Sequence, residues 1–446
     1  RAATEPAVNT IIDVIKQAAT NQTRNLILLT GIPGAGKTLV GLQCVHCQFL
    51  DDLSAPRDDG KPVAPAVFLS GNGPLVEVLQ YELKSAGGGG KAFVRGVKQY
   101  VKRYSSRTDQ VPPEHVLVFD EAQRAYDAKQ VEAKHSTTPG FSAGRSEPEH
   151  FVEFAERIPD WCVVIGLIGS GQEIHVGEEG GLIQWRHAID NSPLPTQWSV
   201  HGPPQLSPTF EGSATTFQVH ESLNLDTEIR FHHAEVLHEF VEGLLKGSSP
   251  KTNVALANEL GEQSYHLRIT RDLHDAKAYL YERYGEQEQA RFGMIASAKD
   301  KALVQFGIPN DFQSTKRVKF GPWYSDAETI ENSHSCRLLK EAVTEFGTQG
   351  LELESALLCW GTDLIRQDNQ WSTQYARGYK KKAHVKDPFQ LRINSYRVLL
   401  TRGRDGVVIY IPPIPELDET YQYLVDSGFK LFSRPTSPVA SPSTNR

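Results

Sequence analysis

The sequence predicts an α/β protein with two domains, each a parallel sheet covered by helices on both faces. Short apolar strands alternate with helical segments in both halves of the chain, which is typical of parallel sheets. A length of 446 residues agrees with two large domains or about three smaller ones. The stretch 191–213 is rich in Pro and Ser and favours a domain boundary. We therefore expect domains over 1–205 and 206–425, followed by a disordered tail over 426–446.

The first domain is expected to begin with a helix over 7–19, because apolar side chains recur there at helical spacing. Apolar runs then predict four buried strands, at 26–30, 66–70, 115–123 and 161–174. A helix is expected from the turn after the first strand to about Leu50. Another helix follows the turn after the second strand.

The second domain repeats this alternation of strands and helices. Helices are expected over 232–245 and 272–284. Apolar runs predict strands at 265–270, 291–297, 355–361 and 406–412. The result is a second α/β unit, similar in size to the first.

Composition argues against a membrane-spanning helix and against a disulfide framework. No stretch approaches the roughly 18 unbroken apolar residues that a membrane span needs, and the first residues lack the features of a signal peptide. Five cysteines, an odd number spread through the chain, fit a reducing compartment. We therefore expect a cytoplasmic protein, or a nuclear one if it is eukaryotic. Because the sequence starts at Arg1 rather than Met, we also expect chain upstream that could carry a partner domain.

A glycine-rich turn follows the first predicted strand. Residues 31–38, Gly-Ile-Pro-Gly-Ala-Gly-Lys-Thr, fit the phosphate-loop pattern G-x-x-x-x-G-K-[ST] in full. Glycines let successive N–H groups point into one concavity, and the N-terminus of the next helix adds its dipole. We therefore expect ATP as the cofactor, with Lys37 on its phosphates and the Thr38 hydroxyl on Mg²⁺. The expected nucleotide-binding residues of this loop are Gly31, Pro33, Gly34, Ala35, Gly36, Lys37, Thr38 and Leu39.

Two acids follow the third predicted strand, in the run Asp120-Glu-Ala-Gln123. The strand would deliver Asp120 beside the phosphate loop, where it can hold Mg²⁺. Glu121 can polarise the water that attacks the γ-phosphate. An acidic strand terminus or helix cap is the alternative interpretation, and the nearby phosphate loop favours catalysis.

Taken together, these motifs resemble those of superfamily-1 helicases, and four further segments agree in the same order. They are Gly169–Gln172, Leu223–Arg230, Thr348–Glu352 and Tyr396–Arg404. The resemblance implies that Gln172 senses the γ-phosphate, that Arg230 reaches the nucleotide from the second domain, and that Arg402 is an arginine finger. It also places Glu352 on the ribose and Arg404 at the nucleotide.

The runs "LIGSGQEIHVGEEGG" and "YRVLLTRGRDGVVIYIP" carry a narrower resemblance. They are similar to a bacterial helicase-like ATPase family and to the helicase-like C-terminal part of Schlafen proteins. This resemblance implies two RecA-like P-loop domains with the ATP cleft between them.

Basic tracts supply the candidates for nucleic-acid binding. The net charge of −7 argues against binding through bulk positive charge, but 91–107 and 366–404 are locally basic. Asn72 lies in a turn that could offer N–H groups to phosphate. Tyr100 and Tyr104 could stack bases beside a helical face over 92–103. The basic candidates are Arg95, Lys98, Lys102, Lys380, Lys381 and Lys382. For each tract alone, a solvated charged face is an equally good interpretation.

Three functions remain open at this point. The first is an ATP-dependent translocase or helicase acting on single-stranded DNA or RNA. The second is an ATPase switch, gated by nucleic acid or a partner protein, that controls an upstream effector such as a nuclease in defence against foreign DNA. The third is a scaffold with a degenerate ATPase, against which the intact motif residues argue. The sequence does not decide between oligomeric states.

Overall fold

A computed structural model describes residues 4–46, 50, 65–87, 89–124, 144–169, 179–226, 228–348, 350–379 and 387–432. The chain divides into two compact units. Unit 1 contains Arg1–Glu235 and Lys319–Asp326, and unit 2 contains Val236–Val318 and Ala327–Arg446.

The described part of unit 1 contains a sheet of seven strands. They are β1 (Arg24–Gly31), β2 (Ala66–Ser70), β3 (Val94–Gly96), β4 (Val116–Phe119), β5 (Cys162–Gly169), β6 (Trp198–Gly202) and β7 (Thr216–Val219). All neighbouring pairs are parallel, in the order β3-β2-β4-β5-β1-β6-β7. The strands β1, β2 and β4 are buried along their whole length, as expected for a parallel sheet covered on both faces.

Helices connect these strands and cover the sheet. They are α1 (Glu5–Asn21), α2 (Lys37–Val45), α3 (Gly73–Ser85), α4 (Gly90–Phe93), α5 (Val97–Ser106), α6 (Glu147–Arg157) and α7 (Glu179–Asp190). The next helix, α8 (Glu228–Lys246), starts in unit 1 and ends in unit 2. The start of α6 is fixed by a capping box, in which the Ser146 hydroxyl accepts the Glu149 N–H and the Glu149 carboxylate accepts the Ser146 N–H. Apolar and aromatic side chains from α5, α6 and α7 pack into the core of the sheet.

Unit 2 contains a second parallel sheet. Its strands are β8 (His266–Thr270), β9 (Phe292–Ala296), β10 (Ala342–Thr344), β11 (Leu353–Cys359), β14 (Gly403–Tyr410) and β15 (Lys430–Leu431), in the order β10-β9-β11-β14-β8-β15. A separate antiparallel pair is formed by β12 (Ile365–Gln367) and β13 (Gln370–Ser372). Two parallel sheets flanked by helices confirm the expected α/β class with two RecA-like domains.

The second half of the chain adds helices α9 (Pro250–Glu262), α10 (Leu273–Tyr284), α11 (Phe312–Arg317), α12 (Phe320–Ser325), α13 (Pro388–Leu400) and α14 (Asp418–Asp426). Of these, α12 belongs to unit 1. It packs so closely on α3 that a Cβ at Gly321 would lie 2.6 Å from Cβ of Tyr81. The Tyr81 hydroxyl donates to Oδ1 of Asp326 at 2.6 Å and closes the same contact. Among the described helices, none has both the length and the apolar character needed to cross a membrane.

Three expected boundaries are corrected by the structure. The first unit extends past residue 205 to Glu235, because β7 pairs in parallel with β6 in the first sheet. The expected tail starts too early, since β15 pairs with β8 in the second sheet and Phe429 is buried. The helix after the phosphate loop ends at Val45 rather than near Leu50.

Candidate nucleotide site

The loop between β1 and α2 has the backbone that its glycines predict. Gly34 and Gly36 have φ values of 79° and 101°, in the left-handed region that side chains disfavour. A Cβ at Gly36 would also lie 2.9 Å from Cγ2 of Thr4, just before α1. The turn can therefore form only with glycine at this position.

Lys37 is the first residue of α2, and its side chain turns back into the loop. Its ammonium Nζ donates to the carbonyl oxygens of Gly31 at 2.5 Å and Ile32 at 3.1 Å. The whole residue is buried. Of the other loop candidates, Ala35 is buried, Gly36 and Thr38 are half-buried, and Pro33, Gly34 and Leu39 are exposed. The positive charge of Lys37 is therefore held against the inner side of the loop.

A second segment supports this loop from within unit 1. Oδ1 of Asp226 accepts the backbone N–H of Ile32 at 2.6 Å. The hydroxyl of Thr30 lies 3.1 Å from Oδ1 of Asn224, and the backbone of these two residues forms a parallel bridge. Both Asn224 and Asp226 lie in the segment 223–230, but no local pattern in the sequence indicates their contacts with the loop.

Asp120 follows β4 and is buried. Its Oδ2 accepts a hydrogen bond from the Ser70 hydroxyl, at the end of β2, at 3.1 Å. Burial raises the pKa of Asp120 to about 6, and the negative charge of Glu121 acts in the same direction. The hydrogen bond from Ser70 and the positive charge of Lys37 oppose this rise in pKa. Asp120 and Lys37 therefore lie close enough to influence each other's charge.

The donor atoms present at this edge of the sheet suit Mg²⁺. They are the Thr38 hydroxyl and the Asp120 carboxylate, both hard oxygen ligands. The described residues contain no group of three or more His, Cys, Asp or Glu that could hold a metal ion. Magnesium is commonly held by one or two protein oxygens together with substrate phosphates, so this small donor set fits it.

Glu121 occupies a strained turn directly after Asp120. Its φ of 54° lies in the left-handed region, which is uncommon for a residue with a side chain. Its Oε2 accepts a hydrogen bond from Nε2 of Gln123 at 2.8 Å. In turn, Oε1 of Gln123 accepts the backbone N–H of Gly169, the last residue of β5, at 3.0 Å. Gln123 therefore ties the acidic pair to the next strand, where the segment containing Gln172 begins. Gln172 itself lies outside the described residues.

Helix α7 packs against the short 3₁₀ helix Ala122–Arg124. The indole Nε1 of Trp185 donates to the carbonyl of Ala122 at 3.0 Å. A Cβ at Gly181 would lie 2.0 Å from the carbonyl oxygen of Gln123, so the backbones meet there directly. This packing fixes the turn that carries Glu121.

The candidates of unit 2 form contacts within that unit. The Arg402 guanidinium donates through Nε to the carbonyl of Val398 at 3.0 Å and through Nη1 to that of Thr348 at 3.3 Å. Arg404 is largely exposed and pairs with Glu354 at 3.2 Å and with Asp405 at 3.4 Å. Glu352 is half-buried just before β11. Arg230, expected in the second domain, falls within unit 1 instead, and its side chain lies outside the described residues.

The nucleic-acid candidates differ in their surroundings. Asn72 is the N-cap of α3, where its side chain accepts the N–H of Leu75, and its own N–H donates to Ser70 Oγ at 3.1 Å. Lys98 and Lys102 are exposed one turn apart on α5. The candidates Lys380, Lys381 and Lys382 lie outside the described residues.

Two expectations for the first basic tract are wrong. Arg95 lies on β3 rather than on a helix, and its guanidinium pairs with the fully buried Glu114 at 3.3 Å. Tyr100 and Tyr104 are buried in the core instead of facing a strand of nucleic acid. The Tyr100 hydroxyl donates to Oε2 of Glu114 at 2.9 Å. Both tyrosines share the apolar face of α5, so they cannot act as base platforms there.

Comparison with known proteins gives one family. Residues 24–413 match the model of a family described as "Schlafen group 3, DNA/RNA helicase domain". No curated protein matches the chain. Among solved structures, the Hef helicase domain of Pyrococcus furiosus is similar over 93% of this chain and 97% of its own, with 12% sequence identity and a TM-score of 0.28.

Proposed function

Because this chain belongs to the family of Schlafen group 3 DNA/RNA helicase domains, we propose that it is an ATP-dependent nucleic-acid translocase or helicase. The observation that carries this proposal is the arrangement at the carboxyl edge of the first sheet. There, the Lys37 charge lies near enough to Asp120 to affect its pKa, and Gln123 holds Glu121 beside them. A phosphate loop joined to an acidic pair is the machinery of a nucleoside triphosphatase.

The phosphate loop binds the nucleotide in this proposal. Backbone N–H groups from Gly34 to Gly36 donate hydrogen bonds to phosphate oxygens, since the glycine conformations let these amides converge. Lys37 exchanges its present carbonyl partners for the β- and γ-phosphates. Thr38 and Asp120 hold Mg²⁺. When bound, the ion neutralises charge on the phosphate oxygens.

Glu121 is the proposed catalytic residue for the attacking water. Its carboxylate accepts a hydrogen bond from the water, orients it towards the γ-phosphate and takes up its proton. The hydrogen bond from Gln123 keeps the Glu121 carboxylate in one orientation. The side chain therefore loses its conformational entropy on folding rather than during the reaction. Gln172 is proposed to sense the γ-phosphate.

Arg230, which falls within unit 1, and three residues of unit 2 complete the proposed reaction. Arg402 and Arg230 supply positive charge to the transition state, while Glu352 and Arg404 contact the nucleotide. Arginine fingers can be worth about 10³–10⁵ in rate where they act. If these groups engage only during hydrolysis, each catalytic cycle moves the two units and their grip on a nucleic-acid strand.

The strand itself is proposed to contact exposed groups of both units. Lys98 and Lys102 present two charges one turn apart. Lys380, Lys381 and Lys382 would add charge from unit 2, and Asn72 would act through the turn at the start of α3. Arg95 is the weakest of these candidates, because its charge is already used by Glu114.

Nucleotide binding and hydrolysis of the purified chain test the catalytic part. A fluorescent ATP analogue measures binding, and phosphate release measures hydrolysis. Lys37→Ala should lose both, Glu121→Gln should keep binding and lose hydrolysis, and Lys84→Ala, an exposed lysine on α3, should keep both. Equal hydrolysis by the Glu121→Gln variant and the parent would contradict the assigned chemistry.

A further inference from the structure

Unit 2 contains a pocket of about 340 Å³ that none of the nucleotide-site candidates lines. Its wall includes Arg366, Tyr423, the turn before α9, and two acids, Glu419 and Asp426. The lining therefore carries one positive and two negative side chains.

Arg366 is the positively charged residue of this lining. The residue is only 6% exposed, and its Nε has no hydrogen-bond partner. Within the described part of the chain, neither a carboxylate nor a carbonyl pairs with this side chain. Its guanidinium lies over the Tyr423 ring, 4.1 Å from the centroid, and 5.2 Å from that of Trp371. A Cβ at Gly247, where φ is 75°, would lie 2.6 Å from Nη1, so the charge reaches the turn that lines the pocket.

A buried cation without a counter-ion is costly, since it has left water without an ionic partner. The two rings recover part of this cost through cation–π contacts. The C-terminal end of α8, at Lys246, contributes a favourable dipole nearby. Neither of these two rings forms a hydrogen bond in the plane of the guanidinium. An anion with several oxygens would bind in that plane.

The start of α9 supplies a second feature of an anion site. This helix has 13 residues, and its N-cap Ser249 lines the pocket together with Ser248 and Pro250. Pro250 has no N–H and the Thr252 N–H donates to the Ser249 hydroxyl, so this helix start favours an anion mainly through its positive dipole end. A buried unpaired guanidinium and a helix N-terminus therefore line one cavity.

Two acids of the pocket lining, Glu419 and Asp426, indicate which other groups the ligand carries. Glu419 accepts the backbone N–H groups of Asp368 at 3.0 Å and Asn369 at 2.7 Å, so much of its charge is already engaged. Asp426 is exposed and accepts a hydrogen bond from Gln422 at 2.8 Å. Carboxylates at a rim accept hydrogen bonds from hydroxyl groups, as acids do from ribose in nucleotide sites.

We propose that this pocket binds a phosphate monoester that carries hydroxyl groups, with the phosphate on Arg366 and the hydroxyls towards Glu419 and Asp426. Two sources have this chemistry: a free nucleoside monophosphate and the 5′-phosphorylated end of an RNA strand, whose terminal ribose keeps its 2′-hydroxyl. The site does not depend on hydrolysis at the phosphate loop.

Calorimetric titration of the whole chain tests this proposal. Lys37→Ala is the parent in every arm, so that the phosphate loop contributes little. The probes are adenosine monophosphate and one hexauridylate with either a 5′-phosphate or a 5′-hydroxyl. We expect added Arg366→Gln to weaken monophosphate binding about ten- to a hundredfold, as for loss of a charge-assisted hydrogen bond. Lys301→Gln, which removes an exposed charge elsewhere in unit 2, should leave binding unchanged.

Comparison of the probes distinguishes the two possible ligands. A second substitution keeps the test informative even if one variant does not fold. Tighter binding of the phosphorylated oligonucleotide, lost with Arg366→Gln, assigns the strand end, and binding of the monophosphate alone assigns the free nucleotide. Asp426→Ala should weaken monophosphate binding, because it removes a hydroxyl acceptor, and this holds even if Arg366→Gln does not fold. Affinities that neither substitution changes, or no binding of any probe, would overturn the proposal.

Discussion

Gln123 donates a hydrogen bond through Nε2 to Oε2 of Glu121 at 2.8 Å, across the turn that follows β4. Through Oε1, the same amide accepts the N–H of Gly169 at the end of β5. The amide can satisfy both contacts only in one orientation, because one partner needs a donor and the other an acceptor. The carboxylate proposed to activate water is thus oriented by a neighbouring strand as well as by its own backbone.

Gln123→Ala should therefore slow ATP hydrolysis while leaving ATP binding nearly unchanged. Glu121 would keep its charge but lose its fixed orientation, and misplaced catalytic groups can cost about 10²-fold in rate. Steady-state kinetics should show a fall in kcat with little change in KM. Gln80→Ala is the control. It removes an amide on α3 that donates to the Val94 carbonyl of β3, and kcat should stay close to the parent value. A change in KM alone would contradict a positioning role for Gln123.

Gly36→Ala should destabilise unit 1 and abolish nucleotide binding. Its φ of 101° disfavours any side chain, and the added Cβ would lie 2.9 Å from Thr4. Backbone strain of this kind costs about 1–3 kcal/mol. Urea denaturation gives the free energy of unfolding. Gly261→Ala is a matched control, since it lies within α9 with nothing within 4 Å of its Cβ, and it should stabilise by about 0.5–1 kcal/mol. Equal effects of the two substitutions would argue against the loop geometry.

Arg392 on α13 is the centre of a buried charge cluster in unit 2. Its guanidinium pairs with Glu345 at 3.1 Å and with Asp363 at 3.3 Å, and all three residues are buried. Arg392→Met should lower the free energy of unfolding by about 3–5 kcal/mol, because two buried carboxylates lose their cation. Arg317→Met, an exposed control on α11, should change it by less than about 0.5 kcal/mol.

A double variant shows whether the charge is responsible for this loss. Burial raises the pKa of Asp363 to about 6, so its charged form is already disfavoured. Asp363→Asn in the Arg392→Met background should recover part of the lost stability. Strictly additive losses would mean that the two side chains do not interact.

The paired histidines of unit 1 predict a loss of stability in acid. Nδ1 of His201 lies 3.0 Å from Nε2 of His220, and its Nε2 lies 2.8 Å from Oδ1 of Asn25. Burial, and then the neighbouring His220, lower the pKa of His201 from 6.5 to about 4. The full stability is therefore present above pH 6.5 and is lost as the pH falls towards 4, since the unfolded chain takes up the proton first.

This single group should contribute a loss of about 2 kcal/mol between pH 7.5 and pH 5. Urea denaturation at both pH values measures the loss, and His201→Gln should reduce it by that amount. A variant whose acid loss equals that of the parent would show that His201 does not titrate as this hydrogen-bonded pair requires.

Local patterns were sufficient for the elements that carry the nucleotide site. Apolar runs predicted β1, β2, β4 and β5, because strands buried on both faces have few polar residues. The spacing of glycines and Lys37 predicted the phosphate loop, since its backbone needs those residues at those positions. Asp120 followed from its place after a buried strand.

The remaining features depend on contacts between distant parts of the chain. β7 is mostly exposed and has no apolar pattern, so the sequence placed the domain boundary too early. No local signal indicates that Lys319–Asp326 returns to unit 1, or that Asp226 accepts the N–H of Ile32. On α5, the tyrosines were misassigned because basic neighbours obscured the apolar face that Tyr100 and Tyr104 share.

The most direct test of the central claim is steady-state ATP hydrolysis with single-stranded DNA and RNA of increasing length. The Glu121→Gln variant is measured beside the parent. A translocase predicts stimulation that grows with strand length and is lost in the variant, and the more effective polymer identifies the substrate. Stimulation that saturates with one short strand would instead indicate an ATPase switch. Intact basal hydrolysis without stimulation by either polymer would contradict a nucleic-acid motor.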